Sequence, residues 1–372
     1  MTHHRDTGRH PAGVDARGRR LPASLALALA LLALSGAAPA WARPRKEAPA
    51  RLAGTGLWAD PAAKTLAPGV RTWTPQYPLW SDGATKRRWI RLPAGAAIDA
   101  SDPDAWVFPA GTRLWKEFSF GGRRVETRYM ERRADGSWVY ATYRWAEDGS
   151  EALLAPAAGA RAVVALGPGV AHDLPSAGDC EACHAAGRTP VLGFSALQLS
   201  PDRDPLAPHA EAQPDGALDL PGAVRSGMVR KLSAALLETP PRVHASTPVA
   251  RAALGYLHGN CASCHDLRGE LASVGLDLVQ RFGPGAGGGP ALTAIGVPSR
   301  YQAPGARDPM LRVAPGRPER SALLHRLSSR DPSAQMPPLG THLVDGSAVQ
   351  LVRAWIGGLE PRPPVSAPLV ER

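Results

Sequence analysis

GYLHGNCASCHD, residues 255–266, sets two cysteines three positions apart and a histidine directly after the second. AGDCEACHAAG, residues 177–187, repeats the arrangement. The chain has four cysteines, Cys180, Cys183, Cys261 and Cys264, and these two stretches use all of them. None remains for a separate disulfide framework. The reading of the rest of the chain depends on what two thiols and an imidazole at this spacing are for.

Three chemistries use paired cysteines. A Cys-x-x-Cys redox pair belongs beside a βαβ pattern, and neither copy has one. Four thiolates pooled on zinc have pairs separated by about 15–20 residues, whereas Cys183 and Cys261 are 78 residues apart. The third, C-x-x-C-H, is the attachment signal of c-type haem, and it alone gives the histidine a task. The thiols add to the porphyrin vinyl groups as thioethers, and the histidine is aimed at the iron. The expectation is therefore two covalently attached haem c groups. Cys180 and Cys183 hold one with His184 as ligand; Cys261 and Cys264 hold the other with His265.

The N-terminus agrees with export. Arg17, Arg19 and Arg20 precede an apolar run from Leu25 to Leu34, which is too short to span a bilayer and has the length of a signal-peptide core. Ala40-Trp41-Ala42 is a small-x-small cleavage site. Residues 1–42 thus read as a signal peptide cleaved after Ala42, and the mature chain as periplasmic or exported, with no transmembrane segment. The net charge of +10 is spread along the chain, with arginines scattered rather than clustered. No nucleic-acid motif appears, and a modest positive balance reads first as general solubility and second as suiting an acidic redox partner or an anionic surface.

Residues 43–170 read as a β domain. They hold all of the ten tryptophans except Trp41 and Trp355. RRWIRL, TRLWKEFSF, RRVETRYMERR and SWVYATYRW have strand composition, and Gly121-Gly122 and Asp135-Gly136 fit hairpin turns between them. In SWVYATYRW, Val139, Ala141, Tyr143 and Trp145 share one face, and Trp138, Tyr140 and Thr142 the other. Both faces are apolar enough to be covered, so the expectation is an antiparallel β-sandwich. Its tryptophans read as core residues first, and as sugar-stacking platforms second.

Two mainly helical segments follow, 171–245 with the first motif and 246–360 with the second, and then a proline-rich tail, 361–372, expected to be disordered. The overall expectation is an α+β multidomain chain. Thr247 and Pro248 open a helix that delivers Cys261. Asp345 caps a last helix whose apolar stripe includes Val352, Trp355 and Ile356. FGPGAGGGPAL, residues 282–292, is glycine-rich, but no Lys-Ser/Thr follows it as in a phosphate loop.

A helix before the motif, a helix at the end and QMPPLG between them resemble the class I cytochrome c fold. In that resemblance the two helices cross at a close-approach glycine, here Gly255 with Tyr256 facing Trp355, and the methionine before the last helix, here Met336, is the sixth iron ligand. Met310 is the alternative methionine. Taken together, YPLWSDGATKRRWIRLPAG, WVFPAGTRLWKEFS, LGFSALQLS, AALGYLHGNCASCH and PERSALLHRLSSRDPSAQMPPLGT resemble a family of bacterial exported dihaem c-type cytochromes in which a β domain precedes two haem motifs. The resemblance spans most of residues 55–358.

The sixth ligand of the first haem is open among His172, His209, Met228 and His244. Met228 lies on an i+4 stripe with Val224, Leu232 and Leu236, the pattern of a core position. His209 sits in a proline-stiffened loop suited to reach across a distal face, and is the preferred candidate. With methionine on one iron and two histidines on the other, the first haem would have the lower potential. The expected function is then electron transfer from first haem to second between redox protein donor and acceptor, with a dehydrogenase among the candidate partners. The alternatives are a dihaem peroxidase-like enzyme, which needs an open coordination position, and a haem-bearing module that docks sugar or a dehydrogenase through the β domain.

Overall fold

Alternating apolar and polar positions become strands wherever a turn residue permits the chain to reverse. In chain order these are β1 (Trp58–Asp60), β2 (Thr65–Leu66), β3 (Arg71–Thr72), β4 (Thr85–Arg91), β5 (Ile98–Asp99), β6 (Arg113–Phe120), β7 (Arg123–Arg132), β8 (Trp138–Trp145), β9 (Ala152–Leu154), β10 (Ala160–Gly167), β11 (Val170–Leu174) and β12 (Val229–Arg230). A computed structural model of the chain describes residues 48–283 and 289–360. The expected signal peptide at 1–42, the middle of the glycine-rich stretch at 284–288 and the expected tail at 361–372 lie outside the described residues.

Six strands form one antiparallel sheet in the order β3-β4-β6-β7-β8-β9. The two anticipated hairpins are present. Gly121 and Gly122 both take positive φ (55° and 80°) between β6 and β7, and Gly136 (85°) does so between β7 and β8, a region that glycine enters without a Cβ penalty. β1-β2 and β10-β11 form two small antiparallel sheets, and β5 pairs in parallel with β12. The chain is thus α+β, with three of the four sheets among the described residues antiparallel.

Both faces of the central sheet are covered. Tyr143 and Trp145 of β8 pack with Trp58, Trp89, Trp115 and Tyr129 on one face. Two buried indole N–H groups there find partners, Trp115 Nε1 donating to Thr55 Oγ1 at 2.8 Å and Trp145 Nε1 to Thr127 Oγ1 at 2.9 Å, whereas Trp89 Nε1 has none among the described residues. Trp138 and Tyr140 lie on the other face, in a core that joins Ile90, Leu114 and Met130 to Phe194, Leu199, Leu218 and Val229. Residues on either side of position 170 therefore share one core, and the second cover of the sheet comes from the segment that carries the first motif. Most of the tryptophans of 43–170 are core residues, Trp89 at 0 % exposure and Trp115 at 1 % among them. Burial of one such side chain stabilises by about 1.5–3 kcal/mol.

Five helices matter for the motifs: α1 (Ala177–His184), α2 (Leu220–Arg225), α3 (Pro248–Cys261), α4 (Ala322–Leu327) and α5 (Gly346–Gly357). Eight residues make a marginal helix in isolation, and α1 is held by a capping box. Ser176 Oγ accepts from Asp179 N at 3.0 Å, and Asp179 Oδ2 accepts from Ser176 N at 2.9 Å. Thr247 caps α3 through Ala250 N (3.1 Å), with Pro248 at its first position, and Asp345 caps α5 through Ala348 N (3.1 Å). Such caps stabilise by about 0.5–2 kcal/mol each. α3 and α5 pack together through Tyr256, Leu257, Val352, Trp355 and Ile356. Gly255 takes another part than expected. It faces Tyr77, from the loop between β3 and β4, while Tyr256 takes the side toward Trp355.

The loop holding Tyr77 ties the sheet to the helices. Tyr77 Oη donates to Asp204 at 3.0 Å, Trp80 N donates to Asn260 Oδ1 at 2.7 Å, and Asp82 Oδ1 accepts from His342 N and Leu343 N at 2.8 Å each. No helix among the described residues is long and apolar enough to cross a membrane.

Candidate functional site

The first motif sits on the central sheet. α1 packs on β8, and the His184 ring lies 5.2 Å from that of Tyr140. The His184 Nδ1 is 2.5 Å from the Pro190 carbonyl oxygen. A carbonyl only accepts, so Nδ1 carries the proton and Nε2 keeps its lone pair, the tautomer a metal ligand needs. Burial pushes the His184 pKa down to about 4, so this ring is neutral at neutral pH. Cys180 is buried and Cys183 half-buried, and burial raises both thiol pKa values.

The second motif closes α3. Cys261 is the last residue of that helix, and its carbonyl accepts from Cys264 N (3.1 Å) and His265 N (2.9 Å), so the motif is one tight turn. Burial, and then Cys264, pushes the Cys261 thiol up to about 12. Burial also lowers the basicity of His265, whose Nδ1 is buried without a hydrogen-bond partner among the described residues. The segment after it is fixed by a buried triad in which Arg281 reaches Asp266 and Asp277 at 2.6 Å each, and Leu278 N donates to the His265 carbonyl at 2.9 Å.

The two motifs are in contact. Glu270 N donates to Ala186 O at 3.2 Å. A Cβ on Gly187 would come within 3.3 Å of Ser263 O, and one on Gly269 within 2.6 Å of Ala186 O. Cys264 adds to the rise of the Cys183 thiol. The 78 residues that separate Cys183 from Cys261 in sequence thus do not separate the motifs in space. Even so, no group of three or more His, Cys, Asp or Glu side chains among the described residues is placed to hold a metal ion by itself. All four cysteines are free thiols. Raised thiol pKa values at Cys180, Cys183 and Cys261 also oppose thiol–disulfide exchange, which needs thiolate.

Met336 lies between α4 and α5, half-buried, with its N–H donating to Arg326 O at 3.0 Å. Arg326 Nε in turn donates to Ala334 O at 2.9 Å, and its charge is among those lowering the basicity of His265. The Met336 loop is therefore pinned beside the second motif. Met310 is otherwise engaged: it is 4 % exposed, and its sulfur accepts from Ala303 N at 3.3 Å.

His209 has partners of its own. Its Nε2 is 2.9 Å from both carboxylate oxygens of Asp345, and its ring stacks on Trp80 at 4.6 Å. His172 is buried with Nε2 3.0 Å from Glu126 Oε1, Met228 packs on the core beside Val224, Leu232 and Leu236, and His244 is exposed. Three contributors were not anticipated from sequence: the Pro190 carbonyl, the Tyr140 ring, and a row of cations, Arg88, Lys116 and Arg128, directly opposite one another on β4, β6 and β7. Their signal was present, since strands this buried carry charges at alternate positions on the face that also holds Ile90, Leu114 and Met130.

No family model, curated protein or solved structure matches the chain. The functional reading rests on its own residues.

Proposed function

We propose that this chain is an exported dihaem c-type cytochrome that carries electrons between redox proteins, entering at the first motif and leaving at the second. The observation that carries the reading is the contact between the two C-x-x-C-H motifs, because a short separation is what a relay on one chain requires. Haem iron supplies one-electron redox chemistry when bound. The residues fit that group. Cys180 is buried and Cys183, Cys261 and Cys264 are half-buried free thiols, and burial raises the pKa of Cys180, Cys183 and Cys261, as suits thiols that form thioethers. His184 offers Nε2 with its tautomer set by Pro190, and His265 is held neutral in a tight turn. Met336, on a loop pinned by Arg326, is the sixth ligand in this reading, and the segment 246–360 is class I cytochrome c-like.

A second reading has one observation in its favour. His209 Nε2 is bound to Asp345, which leaves the sixth position of the first haem to another group or open, as a dihaem peroxidase-like enzyme requires.

The test is mass spectrometry of denatured protein matured together with the haem-attachment machinery. Two haem masses are expected. Cys180→Ala with Cys183→Ala should remove one, and Cys261→Ala with Cys264→Ala the other. A chain that carries no haem would overturn the proposal. Cyanide added to the oxidised protein then separates carrier from enzyme, since only an open site shifts its spectrum.

A further inference from the structure

The sheet face beneath the first motif carries more positive charge than it neutralises. Arg88, Lys116 and Arg128 face one another across β4, β6 and β7, and Arg128 stands opposite Thr142 of β8. The two arginines are matched. Arg88 is 3 % exposed and pairs with both oxygens of Glu211, Nη2 to Oε1 at 3.1 Å. Arg128 donates to Glu126 at 2.7 and 3.1 Å. The Lys116 side chain between them is half-buried and makes no hydrogen bond or ion pair among the described residues. Its ammonium has only the Phe118 ring at 4.9 Å, over which the Arg128 guanidinium also lies at 4.3 Å. Burial, and then the charges of Arg88, Lys86 and Arg128, outweigh the Glu211 carboxylate, which is bound to Arg88, and hold the Lys116 ammonium well below its ordinary value, the behaviour of a cation without a counter-ion of its own.

The row adjoins the first motif. Tyr140, which His184 stacks on, is two residues from Thr142 on the same face of β8. Arg128 and Lys116 both act on the Cys183 thiol against its burial-driven rise. A cation that is partly buried between two others is costly unless an anion arrives.

We infer that Lys116, with Arg88 and Arg128 beside it, receives the propionate carboxylates of the haem held by Cys180 and Cys183. The inference rests on the dihaem reading and adds a task for the β domain: it supplies one wall of the first haem site and neutralises its acid groups. A cation at the propionates disfavours the ferric state, so its removal lowers the potential of that haem.

The test uses the full haem-loaded protein with Lys116→Met and Lys116→Arg. Mass spectrometry first counts haems, and redox titration and resonance Raman follow, with each haem assigned through the paired Cys→Ala variants. Lys116→Met should keep two haems, shift the reduction equilibrium of the first by about tenfold toward the ferric form, which is about 59 mV for one electron, and move its propionate bending band. Lys116→Arg should restore both. Two haems with an unmoved band and potential in Lys116→Met would overturn the propionate site and leave the dihaem reading intact. Wild-type protein without haem would overturn both. If Lys116→Met fails to fold, Lys116→Gln gives the same two readouts.

Discussion

Gly255 lies so close to Tyr77 that a Cβ at this position would fall 2.1 Å from the Tyr77 ring. Gly259, one turn further along α3, would bring a Cβ within 2.4 Å of the Tyr77 carbonyl oxygen. The helix that presents the second motif is thus seated on the loop between β3 and β4 through two glycines. The sheet and the motif are positioned by the same contact.

Gly255→Ala should therefore destabilise the protein by about 1–3 kcal/mol through overpacking. Gly346→Ala is the control. It meets open space at the start of α5, so the greater helix propensity of alanine should leave stability unchanged or raise it by about 0.5–1 kcal/mol. Denaturant midpoints at constant slope check both. Equal effects of the two substitutions would contradict the Tyr77 contact.

Glu126 is 0 % exposed and joins Arg128 to His172. Burial would raise its pKa, but the Arg128 charge and the His172 hydrogen bond outweigh this and hold it below the ordinary value. A carboxyl depressed in the folded state contributes stability above its unfolded pKa, about 4.3, and loses it as pH falls through the folded value. Glu126→Gln should cost about 3 kcal/mol at neutral pH, as expected for a broken buried pair. The difference from wild type should shrink below about pH 4. Urea unfolding across that range measures it, and a pH-independent difference would exclude this account.

One Nε2 cannot serve both Asp345 and an iron. If the His209–Asp345 pair persists in the haem-loaded protein, His209→Ala should leave the electron paramagnetic resonance signal of the first haem unchanged. It should cost about 1–3 kcal/mol of stability by leaving a buried carboxylate short of a partner. A low-spin signal that turns high-spin in this variant would restore His209 as the ligand.

Met336 and Met310 should separate by readout. Met336→Ala should abolish the near-infrared charge-transfer band of methionine-bound ferric haem and lower that potential, because a thioether favours ferrous iron. Met310→Ala should keep the band and instead cost about 2–5 kcal/mol, the range for a buried methionine. The reverse pattern would transfer the ligand to Met310.

Local chemistry was legible in the chain without its fold. Thr247-Pro248 and Asp345 begin helices because a side-chain oxygen and a preset φ act over one turn. Gly121-Gly122 and Gly136 reverse strands because positive φ is a property of the residue itself. The period-two pattern of SWVYATYRW showed that both faces of β8 are covered, since side chains alternate whatever lies above them. The two C-x-x-C-H motifs needed no structure to be found.

What lies across those faces was decided only by tertiary packing. Nothing near Cys183 or Cys261 in sequence foretells that Gly187 meets Ser263. Gly255 reads equally well as a crossing point for Trp355 or a seat for Tyr77, because an absent side chain does not name its neighbour. The Pro190 carbonyl that orients His184 is a backbone atom, invisible to side-chain patterns. Lys116 stands between Arg88 and Arg128 only through strand register, which the spacing along one strand does not specify. The physical reason is the same in each case. Caps, turns and periodicity depend on torsions and spacings along the chain, whereas these contacts join residues distant in sequence and depend on which surfaces exclude water together.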